Sequence, residues 1–446
     1  MERRNFLALL AAAPSAAALL AACGDDATDN TGPAPTNGPG TTVPNDLDGV
    51  QSLRSDATRI TGADPSTAAA AVNAFANDLH AVLVADAPTA NLVFSPASIA
   101  LALAMTSAGA KGDTLKEMHS VLHLTEGDAS HRAMNGLSAL LESLNQTQDN
   151  TAEGGSGVSE VQLNIANSLW GQTGLAFEPA FLDLLAAEYG AGLETVDYKA
   201  DPEGARKLIN AWVSDQTKER IPQLLAQGTI TPDSRLTLVN AIYLKANWMN
   251  AFLEGATADE PFTTATGETV KVPMMRRTDD YAYAEGDGWR AVEVPYVFGS
   301  LSLTAMVGTG TDDDSLLTTG DEVFEALSSR KVSLGMPRFD IETSTSLAQV
   351  LGALGMATAF TDAADFSGMT TDERLSIGDV IHQANITTDE KGTEAAAATA
   401  VIMVATAAPV ETDPVEFTID RPFTFWLRER TTNAIVFMGR VTDPTQ

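Results

Sequence analysis

Three histidines and one glutamate lie close together in the sequence and carry side chains that can bind metal ions. His119 and His123 are four residues apart in a stretch with helical periodicity, Glu117 precedes them, and His131 follows. Residues four apart share one face of a helix, and imidazole and carboxylate groups are common zinc ligands. An exposed polar helix face explains the same spacing more simply. We therefore expect no metal site here, and no other cofactor.

Candidate nucleophiles are few, and none has a catalytic partner nearby in the sequence. Ser156 lies among the glycines at 154–157, where a flexible linker is the simpler interpretation. The chain lacks the G-x-x-x-x-G-K-S/T, G-x-S-x-G and H-E-x-x-H motifs. Its 59 aspartates and glutamates make the spacing of any two carboxylates uninformative. We predict that the protein is not an enzyme.

The overall charge limits the classes of partner. The 446 residues include 27 lysines and arginines against 59 acidic residues, which gives a formal net charge of −32 at pH 7. A protein with this charge repels phosphate backbones, so we predict no nucleic-acid partner. The single cysteine, Cys23, cannot form an intrachain disulfide, so the core must be stable without covalent cross-links.

The N-terminal 22 residues have the composition of an export signal. Arg3 and Arg4 precede a run rich in alanine and leucine, which ends in Leu20-Ala21-Ala22-Cys23. The paired arginines are similar to a twin-arginine signal, and the last four residues resemble the lipobox of bacterial lipoproteins. We predict a signal peptide at 1–22 and a lipid on Cys23. The lipid would anchor an exported protein to the membrane of the bacterial cell envelope or at the cell surface.

Residues 23–62 are predicted to be a flexible acidic tether between this lipid and a body at 63–446. From Gly24 to about Asp48 the chain is rich in Asp, Thr, Asn, Gly and Pro and has almost no apolar residues. Such a segment cannot bury enough surface to fold. No second long low-complexity segment divides the rest of the chain, so we predict one large domain.

Residues 390–408 are almost all small. Glu390-Lys391-Gly392-Thr393-Glu394 is followed by four alanines, and Thr399 begins a further run that ends before Pro409. Propensity alone favours a helix. An extended conformation would instead place alternate residues on one face, namely Thr393, Ala395, Ala397, Thr399 and Val401. Side chains of this size permit either state.

This segment, from 389 to 399, closely resembles the proximal hinge of the reactive-centre loop of inhibitory serpins. Four other segments resemble serpin motifs in the family's order, at 91–100, 239–248, 272–275 and 437–441. The resemblance extends over about 66–446. It implies a serpin fold of class α+β, in which helices cluster around a large, mostly antiparallel sheet. Two smaller sheets and an exposed reactive-centre loop complete that fold.

The resemblance implies that the protein is a suicide inhibitor of serine endopeptidases. In a serpin, a protease attacks the loop and forms a covalent acyl-enzyme, and the cleaved loop inserts into the main sheet. The matching hinge residues are Glu390, Gly392, Thr393, Ala395, Ala397 and Thr399. The family's spacing from Glu390 places the cleaved bond between Thr406 and Ala407, although a long stretch at 408–414 leaves neighbouring bonds open. The small residues there predict elastase-like or subtilisin-like targets.

The resemblance also implies two supporting clusters in the main sheet and a monomeric protein. The shutter cluster, which holds the two central strands together, corresponds to Ser95, Ser98, Asn240 and His382. The breach cluster, where the loop enters the sheet, corresponds to Trp248, Arg338 and Glu390. The alternative is a non-inhibitory serpin with a binding or structural role in the envelope. Such serpins usually have bulky, charged or proline residues at the inward hinge positions, whereas Glu394 is expected to face outward.

The elements that must position the hinge, shutter and breach residues are predicted as helices in the first half of the body and strands in the second half. Five apolar residues recur at helical spacing between Val72 and Leu83, and 96–108 and 114–124 continue the helical signal. Strands are predicted at 236–244, 291–295, 300–307, 331–336, 423–427 and 434–441. Helices followed by many closely spaced strands indicate an α+β fold with a mostly antiparallel sheet.

Overall fold

The computed structural model describes residues 49–125, 127–149, 157–309, 320–393 and 413–446. Several sequence predictions fall outside the described residues. They are the signal peptide, most of the tether, Cys23, Ser156, Ala395, Ala397, Thr399, Thr406 and Ala407.

Eight α-helices form in the described residues. They are α1 (Ser66–Asp86), α2 (Pro96–Ser107), α3 (Gly112–Val121), α4 (Asp128–Ser143), α5 (Pro179–Tyr189), α6 (Pro202–Gln216), α7 (Gly320–Ala326) and α8 (Ala348–Leu354). The three helices that the sequence predicts are confirmed as α1, α2 and α3. Helix α1 has the length and composition of a membrane span, but 61% of its most apolar window is buried inside the domain, as in a core helix.

Helix α2 is the central helix of the core. All of its residues are buried, which is typical of a helix surrounded by other elements. Its N-terminus is capped by Ser95, whose Oγ accepts a hydrogen bond from the backbone N–H of Ser98 at 3.2 Å. Pro96 occupies the first turn, where the missing backbone donor costs nothing.

In the part of the chain that the structure describes, the main sheet has eight strands. In spatial order seven of them are β1 (Gln51–Leu53), β5 (Leu193–Val196), β4 (Val158–Gln172), β6 (Leu236–Asn247), β14 (Gly392–Thr393), β13 (Val380–Thr388) and β12 (Phe339–Ser346). The eighth, β3 (Gln146–Asp149), pairs with β4. Among the described pairs of this sheet, β4–β5 and β6–β13 are parallel and the others are antiparallel.

The second sheet has nine strands among the described residues. Eight follow in spatial order: β15 (Val415–Thr418), β11 (Ser328–Pro337), β8 (Thr269–Gly286), β9 (Trp289–Pro295), β10 (Leu301–Gly308), β16 (Phe423–Glu429), β17 (Ile435–Val441) and β2 (Leu92–Phe94). The ninth, β7 (Ala258–Thr263), pairs with β8. Strand β8 pairs with β7, β9 and β11 along its length. The two smaller sheets that the resemblance implies are therefore continuous through β8.

Helices cover both faces of the main sheet near β4 and β6. Helix α6 packs on one face, where the rings of Trp212 and Trp170 lie 6.0 Å apart between centroids. The neighbouring residue Leu169 points to the other face of the sheet, where it packs in the larger core together with α2. This alternation follows from the two-residue repeat of a strand. The six strands predicted from the sequence are confirmed as β6, β9, β10, β11, β16 and β17.

Residues 49–62, which the sequence assigns to the tether, pack against the body. Strand β1 pairs antiparallel with β5. Further along, Arg59 Nη1 lies 2.8 Å from both carboxylate oxygens of Glu142, and Asn135 Nδ2 donates to the backbone oxygen of Ile60 at 2.8 Å. The predicted boundary at 62/63 is thus too late, because backbone pairing orders a polar segment that composition alone marks as unfolded.

Candidate functional site

The two central strands of the main sheet, β6 and β13, pair with each other along only part of their length. Residues 380–383 of β13 pair in parallel with 238–241 of β6. Beyond this point β14 lies between them, with Thr393 paired to Thr388 on one side and to Ala246 on the other. The first residues of the small-residue segment therefore occupy one end of a slot between the central strands.

Gly392 allows the chain to enter this slot. Its φ is +154°, in a region that favours glycine. A Cβ at this position would lie 2.0 Å from the backbone oxygen of Ala246. The next side chain, Thr393, is 2% exposed, and its Oγ1 lies 2.6 Å from the hydroxyl oxygen of Tyr296. The predicted hinge residues Gly392 and Thr393 are thus at the entrance, with Thr393 facing inward.

The three predicted breach residues meet at the same end of the sheet. Arg338 Nε lies 2.8 Å from Glu390 Oε2, and its Nη2 lies 2.6 Å from Oε1. The side chain of Glu390 is only 4% exposed. Burial opposes ionisation of Glu390, but hydrogen bonds from Arg338 and Thr257 outweigh it and hold the pKa of the carboxyl below its usual value. Arg338 and Glu390 therefore form a charged, bidentate pair that fixes the position of Glu390 at the start of the loop.

Trp248 holds the turn that leads to Gly392. Its indole N–H donates to the backbone oxygen of Asp389 at 2.8 Å. Its backbone N–H donates to the backbone oxygen of Lys391, also at 2.8 Å. Its ring stacks on Tyr296, with 4.4 Å between centroids. Nothing in the sequence marks Tyr296 as a site residue, because only the folded chain brings the turn after β9 against this tryptophan.

The four predicted shutter residues form one buried network. His382 and Asn240 are partners in the β6–β13 ladder, and His382 Nδ1 lies 2.5 Å from Asn240 Oδ1. The backbone N–H of Ser95 donates to His382 Nε2 at 3.1 Å, and Asn240 Nδ2 donates to Ser98 Oγ at 2.7 Å. Since Nε2 accepts a backbone hydrogen bond, the ring proton must be on Nδ1, and the imidazole is neutral.

A fifth residue, Asn167 of β4, belongs to this network. Asn240 Nδ2 also donates to Asn167 Oδ1 at 2.7 Å, and Asn167 Nδ2 donates to the backbone oxygen of Ser98 at 3.0 Å. Asn167 is not among the predicted site residues, because β4 is not predicted as a strand. The network links β4, β6 and β13 to α2, so separating the two central strands requires breaking the Asn240–His382 hydrogen bond.

The buried histidines predict loss of stability in acid. Burial lowers the pKa of His382 to about 3, that of His80 to about 3, and that of His131 to about 4. Because the folded-state pKa is below the unfolded value of about 6.5, this stability is fully present above pH 6.5 and is lost as pH falls toward 4. Each histidine is expected to lower the free energy of unfolding by about 2 kcal/mol between pH 7.5 and pH 5.

Urea unfolding at the two pH values measures this loss, and His80 offers a matched variant. Neither ring nitrogen of His80 has a hydrogen-bond partner among the described residues, and the ring stacks on Phe94. His80→Phe therefore removes the titrating group without removing a hydrogen bond. We expect the pH dependence to shrink by about 2 kcal/mol in this variant. An unchanged pH dependence would show that His80 titrates normally in the folded protein.

The histidines near α3 and α4 do not converge on a metal site. His119 and His131 are 5% and 6% exposed, with ring centroids 6.3 Å apart. His123 points elsewhere and lies 2.7 Å from a carboxylate oxygen of Asp78. The predicted exposed polar face is therefore wrong for His119, which is part of the core. Within the described ranges, no group of three or more His, Cys, Asp or Glu side chains is placed to hold a metal ion.

The geometry of this site suits a conformational change better than bond chemistry. A charged pair and a tryptophan fix the base of the small-residue segment, and a glycine directs it between two strands. A neutral polar network holds those strands together farther along the slot.

Comparisons with known proteins agree with this geometry. A family model described as serpin (serine protease inhibitor) matches residues 70–444. An uncharacterised serpin-like protein of Thermococcus kodakarensis is 36% identical over 418 residues, which cover 92% of this chain and 94% of the relative. The leukocyte elastase inhibitor of Bos taurus is 35% identical over 393 residues, which cover 84% of this chain and 99% of the relative.

A solved structure has the same fold. The thermophilic serpin tengpin, in its native state, superposes with a TM-score of 0.75 at 24% sequence identity, and the match covers 88% of this chain and 97% of that one. The predicted fold class is thus confirmed.

Proposed function

The chain belongs to the serpin family, and on this premise we propose that it inhibits serine endopeptidases by a suicide mechanism. The protease serine Oγ attacks the carbonyl carbon of Thr406, the Thr406–Ala407 amide bond breaks, and the Ala407 nitrogen leaves as an amine after gaining a proton. The ester between the serine Oγ and Thr406 persists, because insertion of the cleaved loop displaces and distorts the protease before water can cleave it.

One observation carries this proposal: β14 already lies between β6 and β13. Gly392 and Thr393 pair with β6, and Thr393 also pairs with β13. Because these two residues are already paired, they set the register in which the rest of the strand would join the sheet. Each later residue would add backbone hydrogen bonds to the strands on both sides.

The composition of the loop supports continued insertion. The side chain of Thr393 faces inward, and strand alternation then assigns Ala395, Ala397 and Thr399 to the same face. These side chains are small and uncharged, so they add little steric or desolvation cost when they pass between two strands. Nothing in this pattern of hinge residues favours the non-inhibitory alternative.

The proposed targets are proteases with a narrow, apolar primary pocket. The residues around the bond, from Val404 to Ala408, are small or β-branched, and none is basic or aromatic. Relatives about 35% identical to this chain carry the name leukocyte elastase inhibitor. Elastase-like and subtilisin-like enzymes therefore remain the proposed classes of target.

The proposed location is extracytoplasmic, with the lipid anchoring the protein to the bacterial cell envelope or at the cell surface. The twin-arginine-like signal at 1–22 and the lipobox ending in Cys23 support export and lipidation. The inhibitor would act as a monomer on a tether, close to the surface that carries its lipid.

The test of function mixes residues 50–446 of the chain with elastase-like and subtilisin-like proteases and analyses the products on denaturing gels and by mass spectrometry. We expect a covalent complex and a released peptide that begins at or near Ala407. Cleavage of the loop with full retention of protease activity would overturn the inhibitory proposal and favour the non-inhibitory alternative. A catalytically inactive serine variant of the protease is the control, because it cannot form the ester.

A further inference from the structure

We propose that Arg330 and Lys331 are part of a secondary docking site for the target protease, next to the C-terminal base of the reactive loop. This proposal rests on the proposed function, since it concerns a protease that attacks the loop. The partner group is a carboxylate on the surface of the protease that faces the residues after the cleaved bond.

The first observation is that these two cations have no hydrogen-bond or ion-pair partner among the described residues. Most lysines and arginines of the described chain bond to carboxylates or to backbone oxygens. The side chains that form no hydrogen bond or ion pair with the described residues are those of Lys218, Lys271, Arg330 and Lys331. Only the last two are adjacent. Asp280 lies opposite Lys331 in the strand register, but the two side chains form no ion pair.

The second observation is an open sheet edge at the same residues. Strand β15 pairs with β11 only from Val332 to Gly335. Residue 414, which precedes β15, is a proline and has no backbone N–H to donate, so the pairing ends there. Among the described strands, none lies beside 328–331 on this outer edge. Two unpaired cations therefore adjoin a strand edge that can accept a polar segment.

The third observation is a surface cavity at this edge. It has a volume of about 490 Å³, and its lining includes Arg330, Lys331, Tyr283, Glu285, Asp413 and Val415. Asp413 and Val415, which follow the loop in the sequence, are among the residues that line it. The cations and carboxylates on its walls suit a polar loop that carries at least one carboxylate.

The cavity lies within reach of a protease bound at the proposed bond. Asp413 follows Ala407 by six positions, and an extended chain spans at most about 3.6 Å per residue, so the cavity lies within about 22 Å of the bond. A protease domain of about 250 residues has a radius of gyration of about 18 Å. A protease whose active site holds Thr406 and Ala407 is thus large enough to contact the cavity.

The charge of the whole chain explains why a local cation pair would matter. At a net charge of −32, most of the surface repels an approaching carboxylate. An unpaired Arg–Lys pair beside the loop supplies a local attraction that raises the rate of productive encounter and selects among proteases with similar primary pockets.

The test compares two variants with the same change in charge. Arg330→Glu/Lys331→Glu reverses the proposed site, and Lys218→Glu/Lys271→Glu reverses two other unpaired cations. All four side chains are exposed, so both variants are expected to fold as the wild-type chain does. We measure the rate constant of covalent-complex formation at low and high salt. We also measure the affinity for a protease whose catalytic serine is replaced by alanine, which reports docking without chemistry.

At low salt, we expect Arg330→Glu/Lys331→Glu to lower both the rate constant of complex formation and the affinity for the inactive protease by about tenfold. In 1 M salt, where charges are screened within about 3 Å, both losses should be less than about twofold. The control variant should stay within twofold, and the number of inhibitor molecules consumed per protease should not change. Equal losses in the two variants would overturn the proposal. So would an effect seen only when a sulfated polysaccharide is added, which would assign the cations to an anionic polymer.

The same measurements separate this proposal from the proposed function. If the wild-type chain binds the serine-to-alanine protease through these cations but traps no active protease, docking stands and suicide inhibition fails. If it traps protease with full efficiency and the first variant does so at the same rate, inhibition stands and the docking site fails. A wild-type chain that neither binds nor traps any protease of the panel overturns both.

Discussion

Replacing Thr399 with arginine is expected to convert the protein from an inhibitor into a substrate of its target protease. Thr399 lies six residues after Thr393, whose side chain faces into the sheet, so the proposed inserted strand would bury it on the same face. Burying an unpaired guanidinium costs several kcal/mol, and each 1.4 kcal/mol added to the insertion barrier slows insertion about tenfold. The acyl-enzyme would then be hydrolysed before the loop could insert.

The measurement is the number of inhibitor molecules consumed for each protease molecule inactivated. We expect it to rise from about one to more than ten, since slower insertion leaves more time for hydrolysis. Ala398→Arg is the matched control, because alternation places residue 398 on the outward face of the same strand. For Ala398→Arg, the number of inhibitor molecules consumed per protease molecule should stay within about twofold of the wild-type value. Equal values for the two arginine variants would show that the loop does not insert with this register.

Most of the hinge, shutter and breach residues could be predicted because they belong to contiguous sequence motifs, whereas Arg338 and His382 lie outside these motifs. Glu390 and Gly392 are part of one such motif, and His382 lies eight residues before Glu390. The structure then adds what a motif cannot contain, namely the bidentate geometry of Arg338 on Glu390 and the neutral tautomer of His382. Both depend on atoms from distant elements meeting at one point.

Other parts of the site had no usable signal in the sequence. Asn167 lies in β4 and Tyr296 directly after β9, and each is a single polar residue that contacts the motifs only after folding. Strand β1 lies in a polar segment, and it is ordered by the backbone of β5 rather than by an apolar pattern of its own. His119 has helical spacing to His123, but α3 ends at Val121, and His123 follows it with a φ of +53°. The first side chain is therefore buried on the helix, and the second leaves the helix and is exposed.

Cleavage of the loop between Thr406 and Ala407 is expected to raise the midpoint of thermal unfolding by about 10 °C or more. In the intact chain, β6 and β13 pair directly at only four positions, and β14 contributes two residues. After cleavage, about a dozen residues of the loop are free to pair with both central strands. For about 390 residues, 10 °C corresponds to roughly 8 kcal/mol. That is less than 1 kcal/mol per inserted residue, within what strand pairing contributes.

Two controls connect this rise to insertion rather than to cleavage itself. A chain cut at an engineered site within 150–156 has the same number of chain breaks but an intact loop, so its midpoint should not increase. Thr399→Arg, cut at Thr406–Ala407, should gain less than the wild-type chain, because a buried guanidinium opposes the same pairing. If cleaved wild-type protein unfolds at the temperature of the intact form, the inserted state is not the more stable one. The slot between β6 and β13 would then be a fixed feature of the fold, and a stable covalent complex would need another explanation.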